Sequence, residues 1–463
     1  MAYGHTIAAI STPSGKGGVA IIRISGAEAL DIAERVFFPR SKKHTLASSA
    51  RTQIYGDVIY ASERIDDGMA TYFKAPNSYT GEDVVEISCH GGMLITRTVL
   101  EAVLAAGATP AEAGEFTRRA FINGRLSLVE TESIGNLLEA KSREQIRLAS
   151  STARSTLSRK LSDIREALTE ILSSVFARID YPDEDLGEFD NAESTRRLYR
   201  VRDMINALIS TYPTGKAISE GVRTVICGKP NVGKSTLYNA ILGEDAAIVT
   251  DIEGTTRDVL THEAPLGRVM LNLSDTAGVR RSGSADEVEK IGIERSKAAI
   301  AEAELIIAVF DSSREADGED KSLVNLIKDA PCPKIAILNK CDMTKKFDTG
   351  LLEDGFSSVL TVSARDSEVE CVNALSKAVD TLFTDEKISV GTDAVISSAR
   401  HNAALLRALS FVNAAIEAYE SGIYADAAAS EVERALGAIA QIDGRAVAEE
   451  VVSDIFSKFC VGK

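Results

Sequence analysis

Apolar residues follow different periods in four successive stretches of this chain. In the first 120 residues or so, short apolar runs of strand character at 7–10, 18–24 and 84–87 alternate with two helical stretches, 27–36 and 93–106. Those helices are expected to stop near Pro39 and Gly107. From about Leu126 the texture is that of long helices. Leu161, Ile164, Leu168, Ile171, Val175 and Ile179 stand three or four residues apart and so share one helix face. Pro182 and its acidic neighbours break the run, and Leu198, Val201, Ile205 and Leu208 resume it as far as Pro213-Thr214-Gly215. Between Gly221 and about Phe383, strands at 222–227, 269–274, 305–310, 334–338 and 359–362 alternate with helices, the pattern of a mainly parallel sheet wrapped by helices. Beyond Gly391, Leu405, Leu409, Val412, Ile416 and Tyr419 return to helical spacing.

The expected fold class is therefore multidomain, α/β and all-α: an N-terminal α+β domain (1–120), helices (121–215), an α/β domain (216–383) and helices again (384–463). Each helical segment has an apolar face to bury, so the simplest arrangement is one helical domain with the α/β domain inserted in it.

Composition narrows the class. The 463 residues are 44% hydrophobic and 26% charged, and no segment approaches the run of about 20 apolar residues that spans a bilayer. The first residues show no basic region followed by an apolar core, and the six cysteines form no C-x-x-C pair. A cytoplasmic protein with reduced thiols and no membrane partner is expected. A net charge of −16 argues against a protein that coats nucleic acid through a general positive field. Two basic clusters, Arg118, Arg119 and Arg125, then Arg143, Arg147, Arg154, Arg159 and Lys160, read either as local patches or as solvated helix faces.

Chemistry enters at Gly228-Lys229-Pro230-Asn231-Val232-Gly233-Lys234-Ser235, a full match to G-x-x-x-x-G-K-[ST] between a strand and a helix starting near Thr236. The glycines let backbone amides turn around phosphates, Lys234 reaches the outer phosphates and Ser235 can ligate Mg2+. Downstream, Gly254-Thr255-Thr256-Arg257-Asp258 offers Thr256 as a second Mg2+ ligand. Asp275-Thr276-Ala277-Gly278 can hold the metal through water and meet the γ-phosphate. Asn339-Lys340-Cys341-Asp342 and Ser363-Ala364-Arg365 each follow a strand. Five signals in this order resemble the GTPases of the translation-factor class, in which the N-x-x-D pair reads guanine; by that resemblance Asp342 selects the base, with Asn339 and Lys340 holding its pocket. Val279 occupies the position where some GTPases carry a water-orienting Gln, so another group must act there. Asp286, Glu287 and Glu289 stand nearby and otherwise read as an exposed acidic helix start.

Over essentially its whole length the chain resembles the MnmE (TrmE) family of tRNA-modification GTPases. The resemblance rests on the phosphate loop, on Ala246-Ala247-Ile248-Val249-Thr250-Asp251-Ile252-Glu253-Gly254, and on Asp286-Glu287-Val288-Glu289-Lys290. Outside that domain it rests on Gly17-Gly18-Val19-Ala20, Asn77-Ser78-Tyr79-Thr80-Gly81-Glu82-Asp83, His90-Gly91-Gly92, Gly114-Glu115-Phe116-Thr117 and the C-terminal Phe456-Ser457-Lys458-Phe459-Cys460-Val461-Gly462-Lys463.

The resemblance implies that GTP lies against Asn231-Val232-Gly233-Lys234-Ser235-Thr236, Thr250 to Thr256, Asp275 to Gly278, Asn339, Lys340, Asp342 and Ser363-Ala364-Arg365. It implies K+ at Asn231, Thr250, Ile252 and Thr255, where the ion promotes pairing of two G domains and supplies the positive charge of an arginine finger. It assigns water orientation to Glu289. It implies that residues 1–120 dimerise and bind 5,10-methylenetetrahydrofolate (or 5-formyltetrahydrofolate as an analogue) through Arg23, Glu86, Arg125 and Lys463. On the residues alone, Arg23 reads as a strand-edge charge and Glu86 as a half-exposed strand residue. Cys460 fits a prenylation box poorly, and reads either as a reactive thiol in the modification chemistry or as a buried apolar thiol. Where the family has Leu-Asp-Leu, this chain has Leu126-Ser127-Leu128, which leaves the role of the acid open.

The function so implied is a K+- and Mg2+-dependent, homodimeric GTPase. With an FAD-containing partner similar to MnmG, it would install a carboxymethylaminomethyl-type group at C5 of the wobble uridine of certain tRNAs. A purely regulatory GTPase switch and a folate-dependent transferase with a sensor G domain are the rivals.

Overall fold

The structure is a computed structural model describing residues 4–41, 43–180, 191–243, 261–274, 298–421, 425–445 and 449–462. It forms two compact units, residues 1–138, 152–187 and 423–463 in one and 139–151 and 188–422 in the other.

The first unit is built on a seven-stranded sheet of β1 (Ile7–Ile10), β2 (Val19–Ser25), β3 (Phe37–Pro39), β4 (Ile54–Tyr60), β5 (Glu63–Phe73), β6 (Val84–His90) and β7 (Thr109–Pro110), in the order β3-β4-β5-β6-β2-β1-β7. All pairs are antiparallel except β1 with β7. Alternation along β2 turns Ile22 and Ile24 into a core shared with Ile87 of β6, α1 (Ala29–Val36) and α2 (Met93–Ala105). Fully burying a side chain of this size is worth about 1.5–3 kcal/mol. Arg23, between those isoleucines in sequence, points from the opposite face and lies in register with Glu86. β2 pairs on both sides, with β1 and with β6, so Arg23 is not the strand-edge charge the residues alone suggest.

The hairpin β4–β5 has no counterpart in the hydrophobic pattern. Its turn is made by Ala61 and Ser62, both at positive φ (51° and 66°), without the Asn-Gly or Asp-Gly that ordinarily marks such a turn. β5 also reads Glu63-Arg64-Ile65-Asp66-Asp67-Gly68, a half-exposed, charged stretch with little strand signature.

After α3 (Glu115–Ile122) and α4 (Leu128–Glu139), and after α5 (Arg143–Ala153), most of which belongs to the second unit, the long α6 (Thr156–Asp180) buries Leu161, Ile164, Leu168, Ile171 and Val175, the face its periodicity predicts. In the first unit α6 packs against α13 (Ala425–Asp443), and α14 (Glu449–Ser457) against α3. A single antiparallel bridge from Ala113 to Val461 then lays the C-terminal tail beside β1.

The second unit carries α7 (Asn191–Ile209), α8 (Tyr212–Ser219) and a six-stranded sheet: β8 (Val222–Gly228), β9 (Thr261–Leu266), β10 (Val269–Ser274), β11 (Leu305–Asp311), β12 (Lys334–Asn339) and β13 (Ser358–Thr361), in the order β13-β12-β11-β8-β10-β9. Every pair is parallel except β9 with β10. β11 and β12 are buried along their whole length, which is why they read as unbroken apolar runs. Pro265 sits in β9, an edge strand, where its missing N–H costs no ladder bond. α9 (Lys234–Leu242) and α11 (Glu368–Phe383) share a core on one face, through Leu237, Leu375 and Val379. α10 (Gly318–Lys328) buries Val324 and Ile327 in a separate core with Phe310 and Phe347. α7 packs against α12 (Ala399–Glu420) in the same unit. No helix among the described residues is long and apolar enough to cross a membrane.

Candidate functional site

β8 lies between β11 and β10, where the strand order reverses direction, and in open α/β sheets ligands bind beyond the carboxyl ends of strands at such a point. The phosphate loop sits there. Gly228 has φ 148°, and a Cβ on it would stand 2.4 Å from the carbonyl oxygen of Val309, so only glycine lets the loop leave β8 against β11. Asn231 adopts φ 64°, and Gly233, at φ 106°, opens into α9.

Lys234 lies on the first turn of α9, its Nζ donating to the carbonyl oxygens of Gly228 at 2.9 Å and Lys229 at 2.7 Å. Burial lowers its pKa. Ser235 and Thr236 follow on the same turn with exposed side chains. The hydroxyl of Ser235 and the amide of Asn231 have no protein partner among the described residues, so both are available to a ligand or ion.

The segments expected to read the base converge on this loop through Asn339, which is only 4% exposed. Its Nδ2 donates to the Val232 carbonyl at 2.8 Å and its Oδ1 accepts from the Ala364 amide at 2.9 Å. One side chain therefore joins the phosphate loop, β12 and the turn after β13. Lys340 takes φ 64° and donates through Nζ to Asp311 at 2.6 Å. The Asp311 pKa is lowered: burial acts against it, but Lys340 and the hydroxyl and amide of Ser313 outweigh burial. Asp342 and Arg365 are exposed beside the bridge, whereas Ser363 is buried and accepts from the Asp366 amide. Asp311 is a residue the motifs do not single out; its only sequence signal is its place at the carboxyl end of a buried strand.

Thr250, Asp251, Ile252, Glu253, Gly254, Thr255, Thr256, Asp275, Thr276, Ala277, Gly278, Val279, Asp286, Glu287, Glu289 and Lys463 lie outside the described residues. No cluster of three or more His, Cys, Asp or Glu that could hold a metal occurs among the described residues.

A second polar group stands on the face of the first unit's sheet opposite the α1–α2 core, beside a smaller core of Ile7, Ala9 and Phe116. Arg23 Nε donates to Glu86 Oε1 at 2.9 Å, and its guanidinium lies 5.2 Å from the ring centre of Tyr79 and 5.6 Å from that of Phe116. Neither aromatic was singled out for this role by the sequence. Arg23 Nη1 also reaches the Gly462 carbonyl at 3.4 Å, which accepts from Ser11 Oγ at 3.0 Å. Arg125 is exposed and packs along Gly81, in the same turn as Tyr79: a Cβ on Gly81 would stand 3.2 Å from its Cγ.

Cys460 is exposed, which removes the buried apolar thiol from its two readings. Arg119 is fully buried and pairs with Glu115 at 2.8 Å and Glu82 at 3.0 Å. It is therefore no part of a basic surface patch. Ser127 stands in place of the family's acid; its amide and hydroxyl both donate to Glu130, at 2.8 and 3.1 Å, an N-terminal cap for α4.

A mainly parallel sheet with a phosphate loop at its switch point, bridged by an N-K-x-D asparagine, defines a P-loop domain of the GTPase class. The chain belongs to the MnmE family of tRNA modification GTPases. Residues 6–125 match the family model for the TrmE N-terminus and residues 128–460 that for the MnmE helical domain. The chain is 38% identical over 460 residues to the tRNA modification GTPase MnmE of Clostridioides difficile, covering 99% of both chains. It is 39% identical over 459 residues to that of Lactococcus lactis subsp. lactis, covering 99% of this chain and 98% of the relative. A solved structure of Aquifex aeolicus Era bound to GDP and AlF4− superposes at a TM-score of 0.27, with 23% identity over 41% of this chain and 66% of that one, too slight a likeness to bear on function.

Proposed function

We propose that this chain hydrolyses GTP and that hydrolysis serves the modification of tRNA. The observation that supports the reading is the Asn339 bridge, which joins the G-x-x-x-x-G-K-[ST] loop to the Asn339–Asp342 and Ser363–Arg365 segments, in a chain similar to MnmE proteins from end to end. Asp342 would accept from guanine N1 and N2, and Lys234 would hold the outer phosphates. Glu289 would orient the attacking water, since Val279 has no polar atom to do so.

Ser235 and Thr256 would ligate Mg2+, which stabilises charge on the transferred phosphoryl group when bound. K+ would be held by Asn231, Thr250, Ile252 and Thr255. The exposed Asn231 amide and Ser235 hydroxyl suit those ions, being oxygen donors turned to solvent. Residues 1–120 would dimerise and bind the reduced folate. The Arg23–Glu86 pair offers a donor and an acceptor side by side, a fit for a group with a carboxylate and an N–H edge. Arg125, Lys463 and the exposed Cys460 would border it. Residues 216–383 would be the GTPase domain, and 121–215 with 384–463 the helical part. Redox cofactors would sit on an MnmG-like FAD partner, in the cytoplasm, with tRNA as the shared substrate.

Mass spectrometry of tRNA nucleosides from cells lacking this chain tests the reading. Loss of the modified wobble uridine, restored by the wild-type chain but not by E289A, is the expected result; unchanged uridines would overturn it. Hydrolysis by the purified chain should run faster in K+ than in Na+, and equal rates would remove the K+ assignment.

A further inference from the structure

Residues 311–320, which run from the end of β11 to the start of α10, are ion-paired at their two ends to different parts of the nucleotide site. At one end Asp311 holds Lys340 of the base-reading segment at 2.6 Å. At the other, Lys229, the second residue of the phosphate loop, donates to Asp320 Oδ2 at 2.8 Å and also to Asp317. Between them, Ser312 donates its amide to the Asn339 carbonyl at 2.9 Å, and its own carbonyl accepts from the amides of Lys346 and Phe347.

The Lys229 end is built unlike a surface pair. Lys229 is 8% exposed and Asp320 2%. Asp317 caps α10 by accepting from the amides of Glu319 and Asp320, while Asp320 accepts from the Asp317 amide, a reciprocal capping box. The lysine thus docks against two carboxylates that also accept from backbone amides, Asp320 buried and Asp317 half-exposed. Burial opposes its charge, but those two carboxylates outweigh burial and raise its pKa. A surface ion pair is worth little, but removing one member of a buried one leaves its partner charged and unpaired.

We propose that Lys229 is a positioning residue for the nucleotide site: it ties the phosphate loop to residues 317–320, and through that segment fixes the loop's distance from the base-reading segment. The assignment rests on the GTP-binding reading above. Lys229 points away from the loop's interior into α10, so it acts on how long nucleotide stays bound and not on the reacting atoms.

The test is release of fluorescent mant-GDP from the full chain, followed by stopped flow, with KM and kcat for GTP measured beside it. K229M is expected to release about tenfold faster and raise KM correspondingly, with kcat at saturation within about twofold. K229R, which keeps the charge, should restore release to within about threefold of wild type. A purely structural role would lower the melting temperature without changing release from molecules that remain folded. Wild-type release by K229M that is folded by circular dichroism therefore overturns the proposal. Should K229M not fold, D317N decides: asparagine caps a helix as well as aspartate, so only the ion pair is weakened. Faster release by D317N or by D320N, each folded by circular dichroism, supports the tie, and unchanged release by both removes it. If wild type binds no mant-GDP, the GTP-binding reading fails and not this one alone.

Discussion

Asn339 donates through Nδ2 to the carbonyl oxygen of Val232 at 2.8 Å, across a sequence separation of 107 residues. The contact is close enough that a Cβ on Gly233 would lie 2.0 Å from the same nitrogen. Both partners of the Asn339 side chain are backbone groups in buried positions, so N339A leaves the Val232 carbonyl and the Ala364 amide unpaired at about 1–3 kcal/mol each. The expected outcome is a loss of about tenfold or more in GTP affinity, read by titration calorimetry. Wild-type affinity in N339A would show that the bridge does not organise the site.

Much of this architecture is legible in the sequence because the signals are local. The face of α6 follows from residues three and four apart, and its leucines and isoleucines are buried as that spacing predicts. The phosphate loop is contiguous, so its glycines and Lys234 announce themselves. What the sequence hides is of two kinds. The β4–β5 hairpin turns on Ala61 and Ser62 in a backbone region that neither residue favours, so no turn signature marks it. The ties of Lys229 to Asp317 and Asp320 join positions 88 and 91 residues apart. The Asp-x-x-Asp cap at 317–320 is a weak local signal, but nothing in it points back to the loop. The stacking of Tyr79 and Phe116 on Arg23 is hidden for the same reason.

The Asp317 carboxyl gives a pH dependence of known sign. Its hydrogen bond from Lys229, with the amide of Asp320 next, holds its pKa at about 2, below an ordinary value of 3.8. A depressed carboxyl contributes stability above its unfolded pKa and loses it as pH falls through the folded one. The stability difference between wild type and D317N, from urea melts, should be constant above pH 3.8 and should close as the pH falls toward 2. A difference independent of pH across that window would contradict the ion pair.

Thiol reactivity should divide the cysteines by place. Burial pushes Cys227, at the end of β8, up to about 12, and Cys89 up to about 11, so neither is a thiolate at neutral pH. Cys341 and Cys460 are exposed. Brief iodoacetamide treatment of the native chain at pH 7.5, mapped by peptide mass spectrometry, is expected to label Cys341 and Cys460 and to spare Cys89 and Cys227 until urea is added. Early labelling of Cys227 would mean that the start of the phosphate loop opens readily.

The C-terminal tail allows its position to be separated from its chemistry. Gly462 has φ 98°, and a Cβ there would stand 2.2 Å from the Ile10 carbonyl oxygen, which belongs to a β-strand and cannot give way. G462A is therefore strained in backbone and blocked in space, and the Gly462 carbonyl must leave Ser11 and Arg23. If the tail borders the folate site, G462A should weaken 5-formyltetrahydrofolate binding by about tenfold while leaving mant-GDP binding unchanged. C460S removes only the thiol and keeps the Cys460 carbonyl, which accepts from the Gly114 amide, so its folate affinity should stay within about twofold of wild type. Calorimetry on the two variants separates the cases. Equal folate binding by G462A and wild type would detach the tail from the site, whereas equal losses in G462A and C460S would put the thiol itself in contact with the ligand.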